Sequence, residues 1–231
     1  MIHQILSAAN RIYRMRKELE IGFYTAESAD RAIISELKGC DALLLSIKDT
    51  SFVGIRSELD GKSEVVYKMS GISAACAGVC FFSATTESYG LLRRSVLAFY
   101  GGKLRFIADA NGVYDKGFSP TYGVKSITAR DVSFGVAVGS DILDQELLRS
   151  LALTGNDLII NLSPDIYDFD TEKLVSSLVF LNGVAIASAG FMKKVVCSGS
   201  GEVVYSGKDS YGRVLLPLKI RYREKITKVR F

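Results

Sequence analysis

Phe134–Ser163, FGVAVGSDILDQELLRSLALTGNDLIINLS, is the stretch whose residue types and spacing bear most directly on chemistry. Phe134, Val136 and Val138 alternate with the small Gly135 and Ala137 and read as a buried strand. The chain turns at Gly139-Ser140-Asp141 and continues as a helix on Leu143, Leu147, Leu148, Leu151 and Leu153, which Gly155 stops. Asp157–Leu162 then reads as a second strand. A strand–turn–helix–strand unit with a glycine at the corner presents its corner residue at the carboxyl end of a sheet, beside the first N–H groups of the helix. If the protein has an active site, that corner is the first place to look.

The other reactive side chains point to little else. Cys40, Cys76, Cys80 and Cys197 lie among apolar or small residues, and only Cys76 and Cys80 are close in sequence. They read as reduced thiols acting as small core residues. The one histidine is His3. A C-x-x-x-C pair beside a single terminal histidine does not make a zinc site, so no metal and no cofactor is expected.

The elements that must hold the corner follow from composition and pattern. The 231 residues are 48% hydrophobic, enough for one substantial core and one domain. No run of eighteen apolar residues occurs, because Leu143–Leu162 is cut by Asp144, Glu146, Arg149, Asn156 and Asp157; a membrane partner is not expected. The first twenty residues carry their basic side chains after a short apolar stretch, unlike a secretory signal, and a cytoplasmic location is expected. The net charge is +4. Much of it sits at the two ends, in Arg11, Arg14, Arg16 and Lys17 and in Arg221, Arg223, Lys225, Lys228 and Arg230. Without interleaved aromatics or a nucleic-acid motif, no nucleic-acid partner is expected.

Residues 1–20 read as an amphipathic helical extension, 21–220 as the folded domain and 221–231 as a basic tail. Within the domain the pattern predicts a strand at Glu20–Thr25 and a helix at Ala29–Lys38 opened by Ser28 or Asp30. A buried strand at Asp41–Ser46 and a polar, weakly patterned stretch over 55–70 come next. Ile72–Ser83, Leu91–Phe99 and Lys103–Ala108 read as strands, the last two joined at Gly101-Gly102. A helix at Glu172–Leu181 precedes strands at Val184–Ala189, Lys194–Cys197, Val203–Tyr205 and Arg213–Lys219.

The corner segment resembles the nucleophile segment of the nitrilase, or carbon-nitrogen hydrolase, superfamily. That segment has a strand ending in Cys-Tyr/Trp-Asp, an Arg-containing helix, Gly-Ala-Asp, and an apolar strand ending near Pro-Ser. Asp141, Glu146, Arg149, Gly155, Asp157 and Ser163 fall where the pattern has its counterparts, and Gly139 falls on the catalytic cysteine. The resemblance runs from about Ile21 to Ile220. Asn182 is similar to the asparagine of a Glu-Asn pair, with Leu181 in place of the glutamate, and the turns at Ser198–Gly201 and Gly207–Asp209 match the closing pattern.

The resemblance implies an α/β fold, a four-layer α-β-β-α sandwich, in molecules that dimerise through the helices bordering the active site. It also implies that Asp49 occupies the place of the general-base glutamate, with Lys48 where proline is usual, and that Tyr114 and Lys116 supply the Tyr-x-Lys motif of the catalytic lysine. A small amide, nitrile or carboxylate is the implied ligand. Glycine has no atom with which to attack carbon, so the expected function is a pseudoenzyme that has lost thiol-dependent hydrolysis. Two alternatives stay open. One is an active amidase in which Ser140 attacks with Asp49 as base and Lys116 as oxyanion partner, against the plainer role of Ser140 as the cap of the following helix. The other is a non-catalytic binder or scaffold.

Overall fold

The structure, a computed structural model, describes residues 18–54, 63–112, 118–162 and 171–218. The expected basic tail, and residues 1–17 of the expected helical extension, lie outside the described residues. Glu18, Leu19 and Glu20 belong to the first strand, β1 (Glu18–Ala26), because Leu19 and Ile21 are needed in the core.

The chain continues through α1 (Arg31–Leu37), β2 (Ala42–Ile47), a 3₁₀ turn at Lys48–Thr50 and β3 (Phe52–Gly54). Then come α2 (Glu64–Ala75), β4 (Val79–Ser88), β5 (Leu91–Tyr100) and β6 (Lys103–Asp109). The second half holds β7 (Ser126–Ala129), β8 (Val132–Val138), a 3₁₀ turn at Gly139–Leu143, α3 (Gln145–Leu153) and β9 (Leu158–Leu162). α4 (Thr171–Asn182) and strands β10 (Ala185–Ala189), β11 (Lys194–Cys197), β12 (Val203–Gly207) and β13 (Tyr211–Pro217) complete it.

These strands form two sheets, ordered β13-β1-β2-β4-β5-β6, with β3 alongside β4, and β12-β11-β10-β9-β8-β7. Alternation along each strand sends one set of side chains between the sheets and the other outward. Phe23, Leu44, Phe81, Val96, Phe134, Val136, Ile160 and Val196 fill the middle layer. There Phe81 meets Phe134 edge-on at 5.4 Å. Ile34, Leu37, Met69, Phe82 and Phe99 form the layer between α1, α2 and the first sheet. Leu148, Leu151, Val175 and Val179 form the one between α3, α4 and the second. This is the four-layer α-β-β-α sandwich.

The expectations fail in a few places, each for a local reason. Ile72–Ser83 does not run as one strand: its first part ends α2 and its second starts β4. The small residues of ISAACAGVC carry no decisive period, and Ser63, whose hydroxyl accepts from Val66 N at 3.4 Å, starts the helix inside a stretch that reads as polar loop. Ser140 does not cap α3; the Asp144 carboxylate accepts from Leu147 N at 3.0 Å and does so instead. The short strands β3 and β7 have too few residues for period two to stand out.

Two glycines separate packing from conformation. A β-carbon on Gly78 would lie 2.1 Å from the Asp41 carbonyl oxygen, whereas one on Gly71, inside α2, would meet nothing within 4 Å. Gly78→Ala is expected to lower unfolding free energy by about 2 kcal/mol through overpacking against backbone. Gly71→Ala is expected to raise it by up to about 1 kcal/mol through helix propensity. Urea denaturation of the two variants beside wild type checks both signs.

Candidate active-site corner

β8, β9 and β10 run parallel, so their carboxyl ends share one edge of the second sheet. The corner lies there. Gly139 follows β8 directly with φ of +57°, a left-handed conformation that side-chain-bearing residues adopt only under strain. Its carbonyl accepts from Asn161 Nδ2 at 3.0 Å, and Asn161 Oδ1 accepts from the Ser188 hydroxyl at 2.9 Å. The turn is therefore held from β9 and β10. A β-carbon built on Gly139 would find open space within 4 Å.

Two residues on, Asp141 is buried and joins the second sheet to the first. Its carboxylate accepts from the backbone N–H of Asn111 at 2.9 Å and Gly112 at 2.8 Å, just beyond the end of β6, and from Val138 N at 3.3 Å. Burial pushes the Asp141 carboxyl above the usual aspartate range, against the opposing pull of these backbone donors and of Lys125. Lys125 Nζ donates to Asn111 Oδ1 and, at 2.6 Å, to Thr121 O. Burial draws its pKa down, while Asp141 and Asp109 pull it up.

The polar chain continues from Thr121 into the first sheet. Arg93 Nη1 donates to Thr121 Oγ1 and pairs with Asp109 at 3.4 Å. Asp109 accepts from the Ser95 hydroxyl at 2.6 Å, and Ser95 shares a 2.7 Å hydrogen bond with Thr86. Alongside it, the Arg94 guanidinium lies 4.4 Å from the centre of the Phe118 ring.

Gly139, Ser140 and Asp141 thus stand together as the spacing requires, with Ser140 half-buried. Asp49 is exposed on the 3₁₀ turn after β2; its N–H donates to Glu27 O at 2.9 Å, and its neighbour Lys48 pairs with Glu27 at 2.7 Å. Among the described residues no hydrogen bond or ion pair joins Asp49 to the corner. Tyr114 and Lys116 lie outside the described residues, as does Ser163. The lysine that the described structure brings beside the corner is Lys125, which sequence reasoning passed over together with Asn111, Asn161 and Ser188. Asn161 left a trace: a lone amide inside the apolar run LIINL demands a buried partner. Lys125 left none.

Among the described residues, no group of three or more His, Cys, Asp or Glu side chains could hold a metal, and no helix is long and apolar enough to cross a membrane. No protein-family model and no curated protein sequence matches the chain. Solved structures do. A variant of the amidase from Nesterenkonia AN1, of the nitrilase superfamily, superposes with a TM-score of 0.69 at 14% identity, covering 88% of this chain and 92% of that one. The fold is nitrilase-like.

Two further variants of the same amidase superpose with the same TM-score of 0.69 at 14% identity, each covering 87% of this chain and 90% of that one. One shows covalent addition of the acetamide moiety of fluoroacetamide at the active-site cysteine. The other, a cysteine-to-alanine variant, is in complex with butyramide. In this nitrilase-like fold the tie between the sheets is Asp141. Asp141→Asn sets an amide donor against backbone donors and is expected to cost about 1–3 kcal/mol. The raised carboxyl also means that Asp141's own contribution to wild-type stability declines as pH rises from about 4, the ordinary aspartate value, through the raised one. The gap between wild type and Asp141→Asn should therefore narrow over that window, which urea denaturation at a series of pH values reads directly.

Proposed function

We propose that this chain is a carbon-nitrogen hydrolase-like protein that has lost thiol-dependent amide and nitrile hydrolysis. The observation that carries the proposal is Gly139: the corner of the nitrilase-like fold holds a residue with no side chain, in a backbone conformation that favours glycine. Ser140 is a poor replacement. A serine hydroxyl needs a positioned base before it attacks carbon, and among the described residues its Oγ has no hydrogen bond to one. Asp49, its expected base, is exposed, and among the described residues no hydrogen bond joins it to Ser140.

Loss of attack does not entail loss of binding. The butyramide complex of the cysteine-to-alanine amidase supports reading the corner as a place for a small amide, nitrile or carboxylate, bound and not turned over. Four free cysteines support a reducing, cytoplasmic location. A homodimer through the outer helices is the accompanying proposal, supported by Phe180 and Leu181 of α4, which are 80% and 58% exposed.

Incubation with butyramide and acrylamide tests the central claim. Ammonia release is expected to stay at the buffer level for wild type and for Ser140→Ala alike; release by wild type that Ser140→Ala abolishes would instead establish a serine hydrolase. Gly139→Cys is expected to fold, because space is open above the α-carbon. It should lose about 1–2 kcal/mol to the left-handed backbone and remain inactive without a placed base. Light scattering after size exclusion tests the dimer: wild type should elute at twice the chain mass and Phe180→Glu should shift toward the monomer.

A further inference from the structure

Away from the corner, Cys76 and Cys80 bracket the tight connection between α2 and β4. Cys76 is the residue that ends α2, its N–H donating to Ser73 O at 3.2 Å, and Cys80 is the second residue of β4. The connection is pinned on both sides, Ala77 N donating to Lys38 O at 2.7 Å and Val79 N to Asp41 O at 3.0 Å. Gly78 passes so close to the Asp41 carbonyl that no side chain fits there. With the intervening backbone fixed, the two thiols are held in one position relative to each other. Both pack in the apolar layer between α2 and the first sheet, Cys80 inside it and Cys76 at its edge.

Each thiol is the largest influence on the other's ionisation, which sets them side by side in that layer. Accessibility differs between them: Cys80 is fully buried, whereas Cys76 is half-buried and reachable from solvent. Reactivity differs in the same sense. The neighbouring Cys80 draws the Cys76 thiol below its ordinary value, while Cys76 and burial push Cys80 up. An accessible thiol beside a buried one is the arrangement of an attacking and a resolving cysteine.

We propose that Cys76 and Cys80 form a reversible oxidation site, in which a hydroperoxide converts the thiol pair to a disulfide across the α2–β4 connection. The Cys76 thiolate attacks the distal peroxide oxygen, the O–O bond breaks, and the leaving oxygen takes a proton as water or an alcohol, leaving Cys76 as the sulfenic acid. Cys80, giving up its proton, attacks that sulfur; the S–S bond forms, the S–O bond breaks and water leaves. The two thiols lose two electrons, the peroxide gains them, and any dithiol reductant reverses the change.

The test uses the full chain. It is treated with hydrogen peroxide, alkylated with iodoacetamide under denaturing conditions and digested with trypsin without reduction. The peptide running from Met69 to Arg93 contains both thiols. It is expected to appear unalkylated and lighter by two hydrogens, and to regain two alkyl groups when dithiothreitol precedes alkylation. Cys197, which burial pushes up to about 11, should stay alkylatable and serves as the internal control. In Cys80→Ser the sulfenic acid of Cys76 should persist and be captured by dimedone. Full alkylation of the Met69–Arg93 peptide after peroxide, over-oxidation of Cys76 with Cys80 still alkylatable, or a bridge from Cys80 to the nearby Cys40 would each overturn the proposal. The wild-type map alone decides it if Cys80→Ser does not fold.

Discussion

The structure depends on a carboxylate placed where carboxylates are expensive. Asp141 is buried at the seam between two sheets, where an ion without partners would be costly, and it is tolerated because three backbone N–H groups point at it. Two of those groups belong to the chain leaving the first sheet and one to the chain leaving the second. Apolar packing between the sheets is dense but indifferent to small slides; hydrogen bonds to a single carboxylate are not. Asp141 therefore sets where the carboxyl end of β6 stands against the carboxyl end of β8, and with it the walls of the corner.

Around that anchor the remaining polar groups divide by origin. Asn161 and Ser188 hold the Gly139 carbonyl from within the second sheet, while Lys125, Thr121, Arg93 and Asp109 run away from the corner into the first. Along that path Lys125 donates to Thr121, and Arg93 bridges Thr121 and Asp109. The corner thus has a turn held from two strands and, at its tip, a residue with no side chain. A shared fold does not by itself carry a shared reaction.

Much of this was legible in the sequence, and the divide follows the range of the interactions. The segment from Phe134 to Leu162 announced its strand, corner, helix and second strand because each is set by local period and by punctuation at Gly139 and Gly155. The four-layer arrangement was legible through the family resemblance that those same residues carry. The α2–β4 boundary was lost because residues 72–78 are small and carry no period, and β7 because four residues cannot show one. The cap of α3 went to Asp144 because the turn after Gly139 coils as 3₁₀ before the α-helix begins, a choice no residue type signals. Lys125 was invisible for a different reason: its partners Asn111 and Thr121 are recruited by a loop that folds back from β6, and tertiary closure leaves no mark on a linear pattern.

The register of the first sheet carries a consequence for how the molecule comes to exist. β1 lies between β2, which follows it closely, and β13, whose Pro217 pairs with Glu18 and whose Tyr211 pairs with Tyr24. β1 thus keeps one bare hydrogen-bonding edge until β13, far along the chain, has left the ribosome. A sheet completed by its most distant partner is slow to close and open to foreign strands meanwhile. Assembly of the first sheet is a race between the arrival of β13 and pairing with a neighbour.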